Sequence, residues 1–235
     1  MAVGTSNGSG LFSMERPVKP HLLNADGLAG EVRDLRSDVG RVLTPVAAFT
    51  VDEFTNAAAA DANAIKTSVA SVAAPTVYEG AALNGVLGSG LMNPARNVTI
   101  STAGVTPADA PATALIEGKD LDGRSLSETI VVSQVAGTAV GVKAFARVTK
   151  ITLPAADGVD ALLEFGFGDK IGLSKSIKTR AGLTTLLQEI EAGVVVTTGT
   201  IADSVVGAPH GTYLAAMVPD GAKDYAVYYE YDPTA

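Results

Sequence analysis

The chain has 235 residues, of which 47% are hydrophobic and 18% charged, which excludes a disordered composition and supplies a core for one large domain or two small ones. Its net charge of -8 disfavours direct contact with phosphate backbones. The absence of cysteine excludes disulfides and thiolate metal sites, and no run of about 18 apolar residues marks a membrane span.

The apolar content is mainly Ala and Val, with no Trp, and the mean hydropathy is +0.27. Small apolar side chains suit a thin β-structure or a tight contact between subunits. The first twenty residues show neither a basic n-region nor an apolar h-region, so no secretory signal is expected and synthesis is placed in a cytoplasm.

Residues 1–24 form a polar, Gly/Ser-rich arm, biased towards extended backbone by Pro17 and Pro20. It is either without fixed structure or laid across a neighbour. Leu28, Val32, Leu35, Val39 and Val42 then recur at spacings of four and three, a helical stripe with Glu31, Arg33, Asp34, Arg36, Asp38 and Arg41 on the other face. Asn24 or Asp26 can cap it, and Pro45 ends it. The stripe either docks on its own domain or seams a short bundle about a three-fold axis. The Ala-rich stretch Thr50–Ala74 reads as a second helix, with Asp52 and Glu53 at its front and Pro75 closing it, although Asn56 and Asn63 interrupt the pattern.

From Thr76 the pattern turns to β. Val77-Tyr78 precede a Gly-rich turn region at Gly80–Gly90, and Asn97–Thr102 is a β-branched run. Val105–Pro111 reads as a loop. Ala112–Glu117 and Ser125–Val132 read as a hairpin joined through Asp122-Gly123. Arg147–Leu153 alternates as a strand. Ala161–Phe167 and Lys170–Leu173 read as a pair of strands turning at Gly168-Asp169. Leu183–Glu191 fits either helix or strand, and Val194–Thr198 is strongly β. Thr212–Val218 and Tyr225–Tyr231 read as a hairpin about Pro219-Asp220-Gly221. Tyr225, Val227, Tyr229 and Tyr231 share one face by period two, which suits a half-buried sheet or an interface equally. The expected fold is mainly β with a smaller α part: an extended arm (1–24), a helical segment (25–75) and a sandwich or barrel-like β-body (76–235).

Residue types that do chemistry are sparse. His21 and His210 are the only histidines, too few for a metal centre unless carboxylates converge on them. Asp203, Ser204 and His210 are triad residue types, but no nucleophile-elbow pattern accompanies them. Gly166–Gly172 places its third glycine one residue late for a dinucleotide loop and reads as a turn with a backbone kink. In Asp120-Leu-Asp122-Gly123 the glycine comes too early for a calcium loop, and Glu128 is not at the bidentate position, so a turn is expected. The basic run Lys175–Arg180 reads as a solvated loop or helix start. Asn7 and Asn97 head glycosylation sequons, read as chance matches. No catalytic, cofactor-binding or metal residue is assigned.

Three stretches carry a resemblance: Asn93–Ile100 (NPARNVTI), Ala112–Val132 (ATALIEGKDLDGRSLSETIVV) and Phe145–Pro154 (FARVTKITLP). Together with the last 24 residues they resemble structural proteins of tailed bacteriophage virions, capsid decoration (cement) proteins most of all. The resemblance covers about half of the chain. It implies a β-rich body on the outside of a phage shell, an arm reaching over adjacent subunits, a homotrimer as the working form and the major capsid protein as partner. It implies no enzymatic activity, no cofactor and no direct contact with nucleic acid or membrane. The interaction residues expected on this reading are Leu28, Val32, Leu35, Val39, Val42, Tyr225, Tyr229 and Tyr231.

Two other readings compete. Another virion part (tail tube, head fibre or baseplate-associated protein) shares the β-content, although the long repeats of a fibre are absent. A carbohydrate-active β-sandwich would need paired carboxylates about 5–10 Å apart, with Asp157, Asp160 and Glu164 as candidates, and would ordinarily show aromatic platforms.

Overall fold

The computed structural model describes residues 48–177, 186–202 and 207–231. The arm, the stripe Leu28–Val42, His21, Asp203 and Ser204 lie outside the described residues. What is described is mainly β, built from curled antiparallel sheets that form a half-barrel.

Thirteen strands are described: β1 (Ala48–Phe54), β2 (Asp61–Ala70), β3 (Thr76–Glu79), β4 (Leu91–Gly104), β5 (Thr113–Lys119), β6 (Ser125–Val131), β7 (Gly137–Leu153), β8 (Ala161–Gly172), β9 (Leu186–Glu191), β10 (Val194–Val196), β11 (Thr200–Ala202), β12 (Thr212–Leu214) and β13 (Tyr225–Tyr231). The large sheet runs β11-β12-β8-β4-β7-β5-β6, with β2 added to β8 and β3 to β7. The small sheet runs β1-β13-β9-β10.

The β5–β6 hairpin forms as its sequence dictates. Leu126, Glu128 and Ile130 point inward and the residues between them outward, the alternation of a sheet with one solvated face. Asp120 makes the turn: its Oδ1 accepts the Asp122 N–H at 2.9 Å and the Arg124 N–H at 2.8 Å, and Gly123 takes the left-handed φ of +77°. Arg147–Leu153 lies in β7 and Asn97–Thr102 in β4, also as expected.

The described part of the Ala-rich segment is not a helix. Residues 50–70 belong to β1, a crossing strap at 55–60, and β2. Helix propensity is a weak preference, and tertiary pairing overrides it here. Phe49 to Phe54 lie against Glu230 to Tyr225 of β13 in unbroken register. Asn56 sits at a left-handed φ of 50° and ends the strand. Ala57 and Ala64 are fully buried, where a small side chain permits close backbone passage, whereas Ala58, Ala59, Ala60 and Ala62 are exposed.

Gly168-Asp169 is not a turn either, because residues 161–172 form one continuous strand. The glycines answer to a crossing: β2 passes so close to β8 that a Cβ on Gly166 would stand 1.7 Å from the Asp61 carbonyl oxygen.

The C-terminal strands do not form a hairpin with each other. The turn exists, with Asp220 Oδ1 accepting the Ala222 N–H at 3.0 Å, but β12 pairs with β8 in the large sheet and β13 with β1 and β9 in the small one. The stretch between them is a crossover between sheets. Leu186–Glu191 resolves as strand, paired with β13.

Two cores result. Ile65, Val98, Ile100, Ile116, Phe145 and Phe165 fill the curl of the large sheet. Ile171, Leu173, Tyr213, Tyr225, Val227 and Tyr229 fill the junction between the sheets.

Candidate functional site

Three polar constellations stand out where the elements meet. The first surrounds Arg96 on β4, which is 1% exposed. Its Nε donates to the Gly168 carbonyl at 2.8 Å and one terminal nitrogen to the Ala58 carbonyl at 2.9 Å. The other terminal nitrogen stands 3.6 Å from Asp169 Oδ1, and the guanidinium lies 5.2 Å from the centre of the Phe167 ring. Burial lowers the Arg96 pKa, and Asp169 partly offsets this. One side chain therefore ties β4, β8 and the strap. Arg96 lines a cavity of about 240 Å³ with Met92, Pro94, Leu87 and Phe167.

The second constellation is a bulge in β7. Against β4, Asn97 pairs with Ala144 but Thr99 with Val140, so residues 141–143 stand off the ladder. Side chains take over their hydrogen bonds. Glu128 of β6 accepts the Val142 N–H at 2.7 Å and the Lys143 N–H at 3.3 Å. Lys143 Nζ returns a bond to the Ser127 carbonyl at 2.8 Å. From the other side, Asn97 Nδ2 donates to the Gly141 carbonyl at 3.3 Å while Asn97 Oδ1 accepts the Lys170 N–H at 3.0 Å. These bonds hold the curl of the half-barrel. A cleft of about 420 Å³ opens beside the bulge, lined by Thr99, Ser101, Thr138, Asp169 and Lys170. Glu128→Ala removes the acceptor of two part-buried amide donors and is expected to cost about 1–2 kcal/mol, read as a lowered denaturation midpoint.

The third constellation joins the sheets. Glu189 and Glu191 lie on one face of β9, 1% and 0% exposed. The Tyr213 hydroxyl of β12 lies 2.6 Å from Glu189 Oε2 and within hydrogen-bond distance of Glu191 Oε1. Glu189 also accepts the Gly199 N–H at 2.7 Å, and Glu191 the N–H groups of Ala216 and Met217. Nearby, Asp52 accepts the Tyr229 hydroxyl at 2.7 Å and both the N–H and the hydroxyl of Ser174.

Of the sequence-predicted interaction residues, Tyr225 and Tyr229 face into the second core rather than outward, because their strand lies between β1 and β9. Tyr231 is half-buried, with Lys175 Nζ 5.6 Å from its ring centre. Leu28, Val32, Leu35, Val39 and Val42 lie outside the described residues.

The tyrosines carry a pH signature. Burial, then the charge of Glu191, pushes the Tyr225 hydroxyl up to about 12, and burial pushes Tyr213 and Tyr229 higher still. A folded pKa above the unfolded value of 10.0 adds stability that is whole below pH 10 and is lost as pH rises through the folded value. Alkaline titration is therefore expected to unfold the protein from about pH 10 upward, with the phenolate absorbance of these tyrosines appearing together with loss of structure.

Other sequence candidates resolve into structural roles. His210 Nε2 comes within 3.4 Å of Asp122 Oδ2, a pairing of two segments that the sequence kept apart. Asp122 also pairs with Arg124 at 2.8 Å, and Asp120 is committed to its turn. Among the described residues, no group of three His, Asp or Glu side chains is arranged to hold a metal ion. Asp160 takes part in a loop contact, its N–H donating to Asp109 Oδ2 at 3.2 Å. Among the described residues no helix is long and apolar enough to cross a membrane.

Arg96, Glu189 and Glu191 were missed by sequence reasoning. The one signal was a charged residue within a β-branched or aliphatic run, a pattern that an exposed edge shares. Comparison with protein-family models, curated proteins and solved structures finds no match to this chain.

Proposed function

We propose that the protein is a structural component of a phage virion, a capsid decoration protein that bridges major capsid proteins on the outside of the shell. The observation that carries this reading is the placement of the resembling stretches. Asn93–Ile100, Ala112–Val132 and Phe145–Pro154 fall on β4, β5–β6 and β7, which are consecutive neighbours in one sheet. The resemblance thus follows a spatial unit rather than scattered fragments.

That unit offers a broad outer face. Across β3, β7, β5 and β6, Val77, Thr152, Leu115 and Thr129 stand side by side in register. Val77, Leu115 and Val131 are 49%, 36% and 74% exposed. Beside them Lys150 Nζ bonds Glu117 at 2.8 Å. A surface mixing aliphatic and hydroxyl side chains suits protein contact, and interfaces of this class bury on the order of 1,200 Å² or more. The mechanism is mechanical: each contact is modest, and an oligomer that makes several at once dissociates slowly.

The test mixes the purified protein with undecorated phage shells after its mass in solution has been measured. Saturable coating by a trimer is the expected result, with loss of coating but not of trimers on removal of residues 1–24. Spontaneous rings or tubes would move the protein to the tail, and a monomer that ignores shells would overturn the reading.

A further inference from the structure

Lys66 is a buried lysine without an acidic partner. It lies on β2 where the pairing with β8 shifts register on either side of it, and Ala64, Ile65 and Lys66 are buried in succession. Lys66 is 7% exposed, and among the described residues no carboxylate forms an ion pair with it. Its Nζ instead meets the side-chain amide of Asn84, 2.8 Å from Oδ1. The Tyr78 ring, its centre 5.1 Å from Nζ, covers another side. Burial lowers the Lys66 pKa, which favours the neutral amine, the nucleophilic form.

The amide of Asn84 is arranged as a target. Thr67 gives its oxygen two further donors, the hydroxyl at 2.9 Å and the backbone N–H at 3.4 Å. Donors converging on a carbonyl oxygen polarise its carbon and hold the negative charge that develops when a nucleophile adds. Asn84 itself is exposed, so a released group has a path to solvent. The backbone fixes the two side chains in place. The Gly85 N–H donates to the Ile65 carbonyl at 3.1 Å, and the Leu87 and Gly88 N–H groups donate to the Ala64 carbonyl at 2.7 and 3.2 Å. These bonds clamp the turn at 83–90 onto β2, so closely that a Cβ on Gly85 would stand 2.3 Å from the Ala64 carbonyl oxygen. Reacting groups held this way meet at a high effective concentration.

The same clamp suppresses the common reaction of an Asn-Gly pair. In that reaction the backbone nitrogen after the asparagine attacks the side-chain amide and closes a succinimide ring. The Gly85 N–H is committed to Ile65, which leaves the Lys66 amine as the nucleophile beside Asn84.

We propose that Lys66 and Asn84 condense into an intramolecular isopeptide bond. A bond forms between Lys66 Nζ and Asn84 Cγ, the bond from Cγ to Nδ2 breaks, and Nδ2 leaves as ammonia with a proton taken from Nζ. The step is a transamidation and calls for no oxidant or second substrate. Its product closes a loop that spans 18 positions and contains β3. It fastens β2 to the turn that feeds β4, and it acts as a disulfide does, chiefly by restricting the unfolded chain. A chain without cysteine gains in this way a cross-link that reducing conditions leave intact. This inference stands apart from the proposed function and survives its failure.

Mass spectrometry of the full chain, folded first, then denatured and cleaved after glutamate, tests the bond. Such cleavage divides residues 54–79, which hold Lys66, from residues 80–117, which hold Asn84. From wild-type protein kept folded for days at mildly alkaline pH, the two pieces are expected to stay joined, with a mass equal to their sum less one ammonia. In Lys66→Met, which keeps an unbranched stem without the amine, they are expected to come apart at their full masses. Separate pieces from the folded wild type would overturn the proposal, whether unaltered or changed at Asn84 by attack of the Gly85 nitrogen. Joined pieces from Lys66→Met would overturn it equally.

Discussion

Arg96→Ala is expected to be among the most damaging single substitutions in this protein, lowering stability by about 3–5 kcal/mol. The loss is not mainly that of an ion pair, since Asp169 stands 3.6 Å away and is itself part-exposed. It comes from the buried Gly168 carbonyl, which loses its donor inside the protein, from the lost tie to the Ala58 carbonyl of the strap, and from the empty volume left beside Phe167. Arg96→Lys should recover little, because an ammonium on a flexible stem cannot bond both carbonyls with the geometry of a planar guanidinium. Denaturant unfolding of both variants measures this. A lysine variant as stable as the wild type would show that only the charge matters.

The second large effect is expected from Gly166→Val. A side chain at this position enters the Asp61 backbone, and the obstacle is a carbonyl in a paired strand rather than a side chain able to swing aside. Overpacking of this kind costs about 3 kcal/mol, or more when the crossing strand must lift away. Amide exchange distinguishes the two cases. Local loss of protection along β2, with β4–β7 unchanged, means that β2 has detached; uniform loss means global destabilisation. A variant with wild-type stability would contradict the close crossing.

The strands with one solvated face were legible in the sequence. Ser125–Val131 alternates cleanly, and Asp122-Gly123 announces its turn, because pattern and turn chemistry agree. Legibility fails where both faces are covered. In β4 the residues Pro94 to Ile100 are all buried, so no period of two separates Arg96 and Asn97 from the aliphatic residues around them. It fails again in β9, where alternation alone would turn Ile190 inward and the glutamates outward. The structure does the reverse, because Tyr213 and the crossover amides provide partners that lie far from β9 in sequence. The Ala-rich segment misled for a related reason: alanine is at once the best helix former and the side chain that lets two backbones approach closely. At the C-terminal end, the turn residues were read correctly, but a turn does not say whether the strands beside it share a sheet.

The pairing of β1 with β13 sets the order in which the chain can complete itself. Tyr229 and Asp52 meet across 177 positions of sequence, and β13 lies between β1 and β9, so β1 has no neighbour, and β9 only β10, until β13 is available. On a ribosome the curl of β4 to β8 has all its partners earlier, whereas β1 must wait as an exposed ribbon for nearly the whole of translation. A chain interrupted before Tyr225 would carry a folded half-barrel, an orphaned β1 and a β9–β10 hairpin with one open edge, a species prone to pair with its own kind and readily marked for proteolysis.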